Sequence, residues 1–205
     1  MNLKKMNIAI IKYNAGNIMS VDYALQRLGI QAEVTNDKEK ILYADKVIFP
    51  GVGEASTTMT YLKEQKLDQL IRSLKQPVLG ICLGMQLMCQ HSTENDVECI
   101  GIFDEKVVRF EPLRGQENIT KVPHMGWNDL SNLNSPLFDA SIESQFVYFV
   151  HSYFVTLGEH TAATSNYIVP FSAAMHKDNF YATQFHPEKS GPVGARILKN
   201  FIEKC

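Results

Sequence analysis

Through its first half the chain alternates short apolar runs with stretches of helical spacing. Residues 7–13 read as a buried strand, because Ile8 to Ile11 offer no polar face. Residues 17–28 carry Ile18, Val21, Leu25 and Leu28 on one helical stripe, and Gly29 stands where a helix commonly ends. Runs at 31–35 and 46–49 read as strands, 55–74 as a helical region and 77–81 as a further strand. Strands that alternate with helices predict a parallel sheet covered on both faces.

The second half changes character. Residues 107–110, 146–155, 160–166, 171–176 and 180–185 are strand-like, and Asp178-Asn179 is a hairpin-type turn between two of them. A closing helix starts after Ser190, a suitable N-cap, with Val193, Ile197 and Phe201 on one stripe. There is no repeat, low-complexity tract or linker. The expectation is an α/β fold, one domain over residues 1–205. Its open mixed sheet should be mostly parallel with flanking helices, plus antiparallel strands in the second half.

Composition narrows the classes. A chain of 205 residues should bury roughly 70% of its unfolded surface and needs no staples to fold. A net charge of −2 gives no electrostatic reason to expect nucleic acid or an anionic membrane. Lys4 and Lys5 precede the Ile8–Ile11 run, which is too short for a signal peptide. No apolar stretch approaches the ~20 residues of a membrane span. Cys82, Cys89, Cys99 and Cys205 have neither metal-ligand spacing nor the look of a secreted disulfide framework. Reduced thiols and a cytoplasmic location are expected.

The segment richest in chemistry is Pro77-Val78-Leu79-Gly80-Ile81-Cys82-Leu83-Gly84-Met85-Gln86-Leu87. An apolar strand runs into Gly-x-Cys-x-Gly, and helical spacing follows (Leu83, Leu87, Met88, Gln90). This is a nucleophile elbow with cysteine in place of serine. So sharp a turn strains the nucleophile's backbone and demands small neighbours. In return the sulfur sits at a helix N-terminus, where the dipole favours thiolate, and the amide of Leu83 points toward a developing oxyanion. Cys89, Cys99 and Cys205 lack that context and read as structural.

A thiolate needs a proton shuttle, and six histidines are available: 91, 124, 151, 160, 176 and 186. His186 stands out in Gln184-Phe185-His186-Pro187-Glu188, just after a strand with a carboxylate two residues on. That spacing puts both side chains on one side of an extended segment, so Glu188 can fix the imidazole tautomer while His186 faces the sulfur. A third segment, Pro50-Gly51-Val52-Gly53, is a glycine-rich turn after a strand. It reads either as an ordinary βα turn or as a source of a second oxyanion donor.

Those three motifs, in this order and spacing, resemble the class I (triad) glutamine amidotransferases. The resemblance spans essentially the whole chain. Tyr13-Asn14-Ala15-Gly16-Asn17, Lys121-Val122-Pro123-His124-Met125-Gly126-Trp127-Asn128 and Tyr148-Phe149-Val150-His151-Ser152-Tyr153 are similar to the glutaminase subunits of imidazole glycerol phosphate synthases within that family. The resemblance implies a flavodoxin-like core, with Cys82 as nucleophile, His186 as general base and acid, and Glu188 as its orienter. It makes Gly51, Val52 and Gly53 a mobile oxyanion strand acting with Leu83. It gives Gln86 and the backbone of His151, Ser152 and Tyr153 the two ends of glutamine's α-carbon group. It places Asn14, Asn17, Trp127, Tyr148 and Lys189 at the interface with a (β/α)8-barrel cyclase subunit. No cofactor or metal is implied.

Competing readings are distinguishable. The glutaminase of anthranilate or aminodeoxychorismate synthase shares the triad, but the 14–17 and 121–128 segments fit it poorly. A paralogue serving a different acceptor synthase could keep every motif. Peptidases and stress proteins with Gly-x-Cys-x-Gly place their histidine close behind the elbow, unlike His186. A non-catalytic regulatory subunit would not need Cys82, His186 and Glu188 together.

Overall fold

A computed structural model of the chain describes residues 6–13, 18–115 and 120–205. The first half comprises β1 (Ile8–Ile11), α1 (Ile18–Arg27), β2 (Ala32–Thr35), α2 (Lys38–Leu42), β3 (Lys46–Gly51), α3 (Ala55–Glu64), α4 (Leu67–Ser73), β4 (Val78–Cys82) and α5 (Leu83–Met88). There follow β5 (His91–Ser92), β6 (Val97–Glu98), β7 (Lys106–Arg109), β8 (His124–Asp129), β9 (Phe146–His151) and β10 (Tyr153–Val155). The chain closes through β11 (Thr161–Tyr167), β12 (Val169–Lys177), β13 (Phe180–Thr183), a 3-10 turn at Pro187–Lys189, and α6 (Gly191–Lys204).

The main sheet runs β2-β1-β3-β4-β13-β12-β10-β7-β5-β6, with β11 added beside β12. β2, β1, β3, β4 and β13 are mutually parallel. β12 then pairs antiparallel with β13, and β10 with β12 and β7. The expected mixed sheet, with its antiparallel strands late in the chain, is therefore present. Its parallel part follows the flavodoxin-like order, in which ligands sit beyond the carboxyl ends of the strands. β8 and β9 form a separate two-stranded hairpin.

Period-2 alternation makes both faces of the parallel strands apolar. Ile8 and Ile10 pack with Val21 and Leu25 of α1 and Ile197 and Phe201 of α6. Ala9 and Ile11 pack on the opposite side with Met59, Leu62 and Ile71 of α3 and α4. The first of these two packing groups contains an aromatic nucleus: Phe110 stacks on Phe154 at 4.2 Å and meets Phe171 edge-on at 5.6 Å. Phe171 also meets Phe149 of β9 at 5.7 Å, so this nucleus carries the hairpin on the main sheet.

Three elements differ from the expectation. The helical region 55–74 is two helices, broken where Lys66 takes a left-handed φ of 54°. The strand run 146–155 is divided at Ser152, β9 joining the hairpin and β10 the main sheet. Ser190 occupies the N-cap position of α6, yet its side chain makes no capping bond. Its hydroxyl donates to His186 O at 2.7 Å and accepts from Tyr148 N–H at 2.9 Å, which ties the hairpin to the 186–190 loop.

Among the described residues no helix is long and apolar enough to cross a membrane. Phe110 is fully buried where hairpin and sheet meet, so Phe110→Ala should cost about 3–5 kcal/mol. Denaturant unfolding checks this, with a lowered midpoint expected.

Candidate active site

The site is assembled from three parallel strand ends. Gly51 of β3 lies in register with Cys82 of β4, and Thr183 of β13 with Ile81. Three carboxyl ends thus deliver Pro50-Gly51-Val52-Gly53, the elbow, and Gln184-Phe185-His186 to one place. The pocket there, of about 390 Å³, is lined by Val52, Gly53, Cys82, Leu83, Gln86 and Glu94, by Pro123 and residues 150–153, and by His186.

Cys82 adopts φ 53° and ψ −109°, outside the regions open to an ordinary L-residue. Such strain costs on the order of 1–3 kcal/mol and persists only where the surroundings impose it. The imposing neighbour is Gly84: a Cβ there would sit within the van der Waals shell of the Phe49 carbonyl oxygen. The helix can therefore approach β3 only with glycine at that position. α5 is just six residues long and every one is buried. Cys82 thus gains the free N–H groups of a first turn rather than a long macrodipole.

His186 and Glu188 are both buried, and His186 Nδ1 lies 2.8 Å from Glu188 Oε1. The segment is a 3-10 turn from Pro187 rather than the extended stretch expected, and the turn folds the carboxylate back onto the ring. Nδ1–H therefore donates to the carboxylate. Nε2 is buried with no hydrogen-bond partner among the described residues, which leaves the ring to address the Cys82 sulfur. Burial opposes charging of this ring. The interactions with Cys82 and Glu188 outweigh burial and push its pKa up to about 10.

The other thiols are held protonated, chiefly by burial: Cys89 is pushed well up, Cys99 to about 12 and Cys205 to about 11. Three other histidines are engaged elsewhere, His91 with Asp96, His160 with Glu105, and His176 stacked on Tyr181. No group of three or more His, Cys, Asp or Glu among the described residues could hold a metal ion.

The turn after the oxyanion candidate is clamped from below. Gly53 has φ 125°, a conformation glycine adopts readily, and Glu54 caps α3 by accepting from Ser56 and Thr57 N–H. Glu94 accepts from Ala55 N–H at 2.8 Å, and Asn95 donates to Glu54 at 2.6 Å. Tyr13 donates to Pro50 O at 2.6 Å and fixes the strand's entry. Gly51 is buried beneath, against the Tyr13 hydroxyl, and does not line the pocket.

Gln86 donates through Nε2 to Tyr153 O at 2.8 Å and to Gln184 Oε1 at 3.1 Å. Both its N–H groups are spent, so it presents only its Oε1 acceptor to a ligand. Sequence reasoning missed Glu94, the one acidic side chain lining the pocket among the described residues, and assigned no role to Gln184 or His124. Gln184 stood inside the quoted His-Pro-Glu motif, but Glu94 lies in a polar stretch with no pattern to mark it.

The expected interface residues divide. Trp127 is 55% exposed and stands outside the core. It meets half-buried Tyr148 edge-on at 6.0 Å across the hairpin. Lys189 is exposed on the 3-10 turn. Asn14 and Asn17 lie outside the described residues.

The raised pKa of His186 fixes a sign. A folded-state value above the ordinary 6.5 stabilises the protein fully below pH 6.5, and that contribution disappears as pH rises through about 10. Glu188→Gln should therefore cost about 3 kcal/mol near pH 6. The difference from the parent should shrink toward pH 10.5, as denaturant titrations at the two pH values would read out.

Comparison with known proteins bears on the fold and the family. The family described as "Glutamine amidotransferase class-I" matches residues 9–205. A Bacteroides fragilis protein named imidazole glycerol phosphate synthase subunit HisH is 65% identical over 198 residues, covering 97% of this chain and 100% of its own. A Haemophilus influenzae protein of the same name is 49% identical over 200 residues, covering 97% and 98%. Among solved structures, a glutamine amidotransferase superposes with a TM-score of 0.72 at 20% identity, covering 95% of this chain and 97% of that one. PurLQS from Thermotoga maritima follows at 0.68 and 15%, covering 97% and 98%. The structural likenesses bear on fold alone.

Proposed function

The chain belongs to the class-I glutamine amidotransferases, and from that premise we propose that it is the glutaminase subunit of an imidazole glycerol phosphate synthase. In this role it serves histidine biosynthesis and passes ammonia to a separate (β/α)8-barrel cyclase subunit. The acceptor assignment rests on full-length likeness to proteins of that name. The chemistry rests on Cys82 and the His186–Glu188 pair meeting in one pocket.

Cys82 attacks the side-chain amide carbon of glutamine as thiolate, with His186 as its imidazolium partner. The oxyanion that forms is met by the amide of Leu83 and by the Gly51–Val52–Gly53 strand. His186 gives its proton to the departing nitrogen, the carbon–nitrogen bond breaks, and ammonia leaves behind a γ-glutamyl thioester. Water then gives a proton back to His186 and attacks the thioester, releasing glutamate and restoring the thiolate. Glu188 holds the ring's Nδ1–H throughout.

At the other end of the substrate, the α-ammonium group meets the Glu94 carboxylate and Gln86 Oε1. The backbone of His151, Ser152 and Tyr153 receives the α-carboxylate end. Trp127, Tyr148 and Lys189 present the docking face to the cyclase, and the oxyanion strand reaches its active setting only when that partner is bound.

Cys82→Ala should abolish glutamate release with the fold intact by circular dichroism; substantial retained activity would sink the assignment. Glu94→Gln should raise the glutamine KM about tenfold with a smaller effect on kcat, because it removes a ground-state charge contact. Glutamate release by the isolated chain should be weak and rise strongly with the cyclase subunit and its nucleotide substrate. A fully active isolated chain would count against partner control, and no rise would point to a different acceptor enzyme.

A further inference from the structure

The imidazole rings of two buried histidines take no part in the chemistry above. His124 on β8 and His151 on β9 are directly paired in the hairpin register, and both are nearly inaccessible. Alternation gives the hairpin two faces. Met125, Trp127 and Phe146 point outward and are exposed, while His124, Phe149 and His151 point inward.

The inward polar groups form a directed chain whose proton positions follow from its ends. His151 Nδ1 lies 2.7 Å from Tyr153 O, which can only accept, so Nδ1 carries the proton. In the neutral ring Nε2 is then an acceptor, and His124 Nδ1, 3.1 Å away, must be its donor. His124 Nε2 in turn accepts from Asn128 Nδ2 at 3.5 Å, the longest of these histidine contacts. The Asn128 amide cannot be flipped, because its Oδ1 accepts from Asp129 N–H at 3.0 Å and its Nδ2 donates to Asn166 O at 3.0 Å.

Tyr153 O also accepts from Gln86, which donates to Gln184, whose Nε2 stands 3.8 Å from Cys82 Sγ. Both rings are neutral near pH 7, since burial lowers the pKa of His124 to about 4 and that of His151 to about 3.

We propose that the His124–His151 pair is a positioning relay that sets the Tyr153 carbonyl and Gln86, and so the glutamine-binding wall, from the inner face of the hairpin whose outer face carries Trp127. This deepens the glutaminase reading and rests on it. Neither histidine touches the reacting atoms through its ring. The pair holds a carbonyl, the carbonyl holds Gln86, and Gln86 holds both the substrate's α end and Gln184 beside the thiol. Because the hairpin's other face is the proposed docking surface, a shift there reaches the pocket through two strands and four hydrogen bonds.

His124→Phe keeps the ring that stacks on Tyr167 at 4.1 Å and Phe149 at 4.9 Å, but removes the donor to His151. His124→Asn loses the stack but restores a donor close to the position of Nδ1. With the full chain and its cyclase subunit, His124→Phe should raise the glutamine KM about tenfold while kcat stays within about twofold. His124→Asn should return KM to within about threefold of the parent. An unchanged KM in His124→Phe, or equal losses in both variants, overturns the relay in favour of simple packing.

A second measurement needs no variant and no turnover. Nitrogen-15 NMR of histidine-labelled chain should show His124 and His151 both as neutral Nδ1–H tautomers at pH 7, and an Nε2–H tautomer at either overturns the proposal. Failure of the glutaminase reading registers separately, as absence of glutamate release by the parent chain itself.

Discussion

The backbone of Cys82 is the constraint from which the rest of the site follows. At φ 53° and ψ −109° it turns the chain directly from β4 into α5. It is held because Gly84 lets the helix press onto the carbonyl of Phe49 in the neighbouring strand. The same close approach brings the end of β3 beside the sulfur. Gly51 and Cys82, on different chain segments, thus become neighbours by strand register rather than by loop design. A side chain at position 84 would separate them, whatever the catalytic residues did.

The second organising element is the β8–β9 hairpin, which forms a two-stranded sheet of its own. It is carried on the aromatic nucleus around Phe110 and Phe171 and bound to the triad loop through the backbone of Tyr148. His186 N–H donates to Tyr148 O at 2.9 Å, and Tyr148 N–H donates to Ser190. One hairpin thereby touches His186 through its backbone and the pocket through His151. It turns its aromatic residues outward. The pocket wall and the exposed Trp127 lie on two faces of one small piece of structure.

Much of this was legible in the residues. Buried runs such as Ile8–Ile11 and 77–81 have one reading as strands between helices, and Gly-x-Cys-x-Gly after such a strand has one mechanical reading as an elbow. What escaped was encoded without an apolar pattern. β8 reads His-Met-Gly-Trp-Asn-Asp, with polar groups inside and apolar ones outside, so alternation points the wrong way. The run 146–155, apolar apart from His151 and Ser152, conceals the change of sheet at Ser152, since both segments are buried on one side. Ser190 shows the limit of local rules: its place at the helix start is as read, but its hydroxyl serves tertiary contacts. Glu94 reaches the pocket only because the 94–96 turn folds under α3, a long-range contact that no spacing announces.

The central claim is that glutamine is opened by covalent attack of Cys82 under the control of His186. Acid quench of the protein during glutamine turnover, followed by mass spectrometry of its cysteine peptides, addresses this most directly. The account predicts a γ-glutamyl thioester on Cys82 and none on Cys89, Cys99 or Cys205. Sustained glutamate release with the adduct on another cysteine would contradict it.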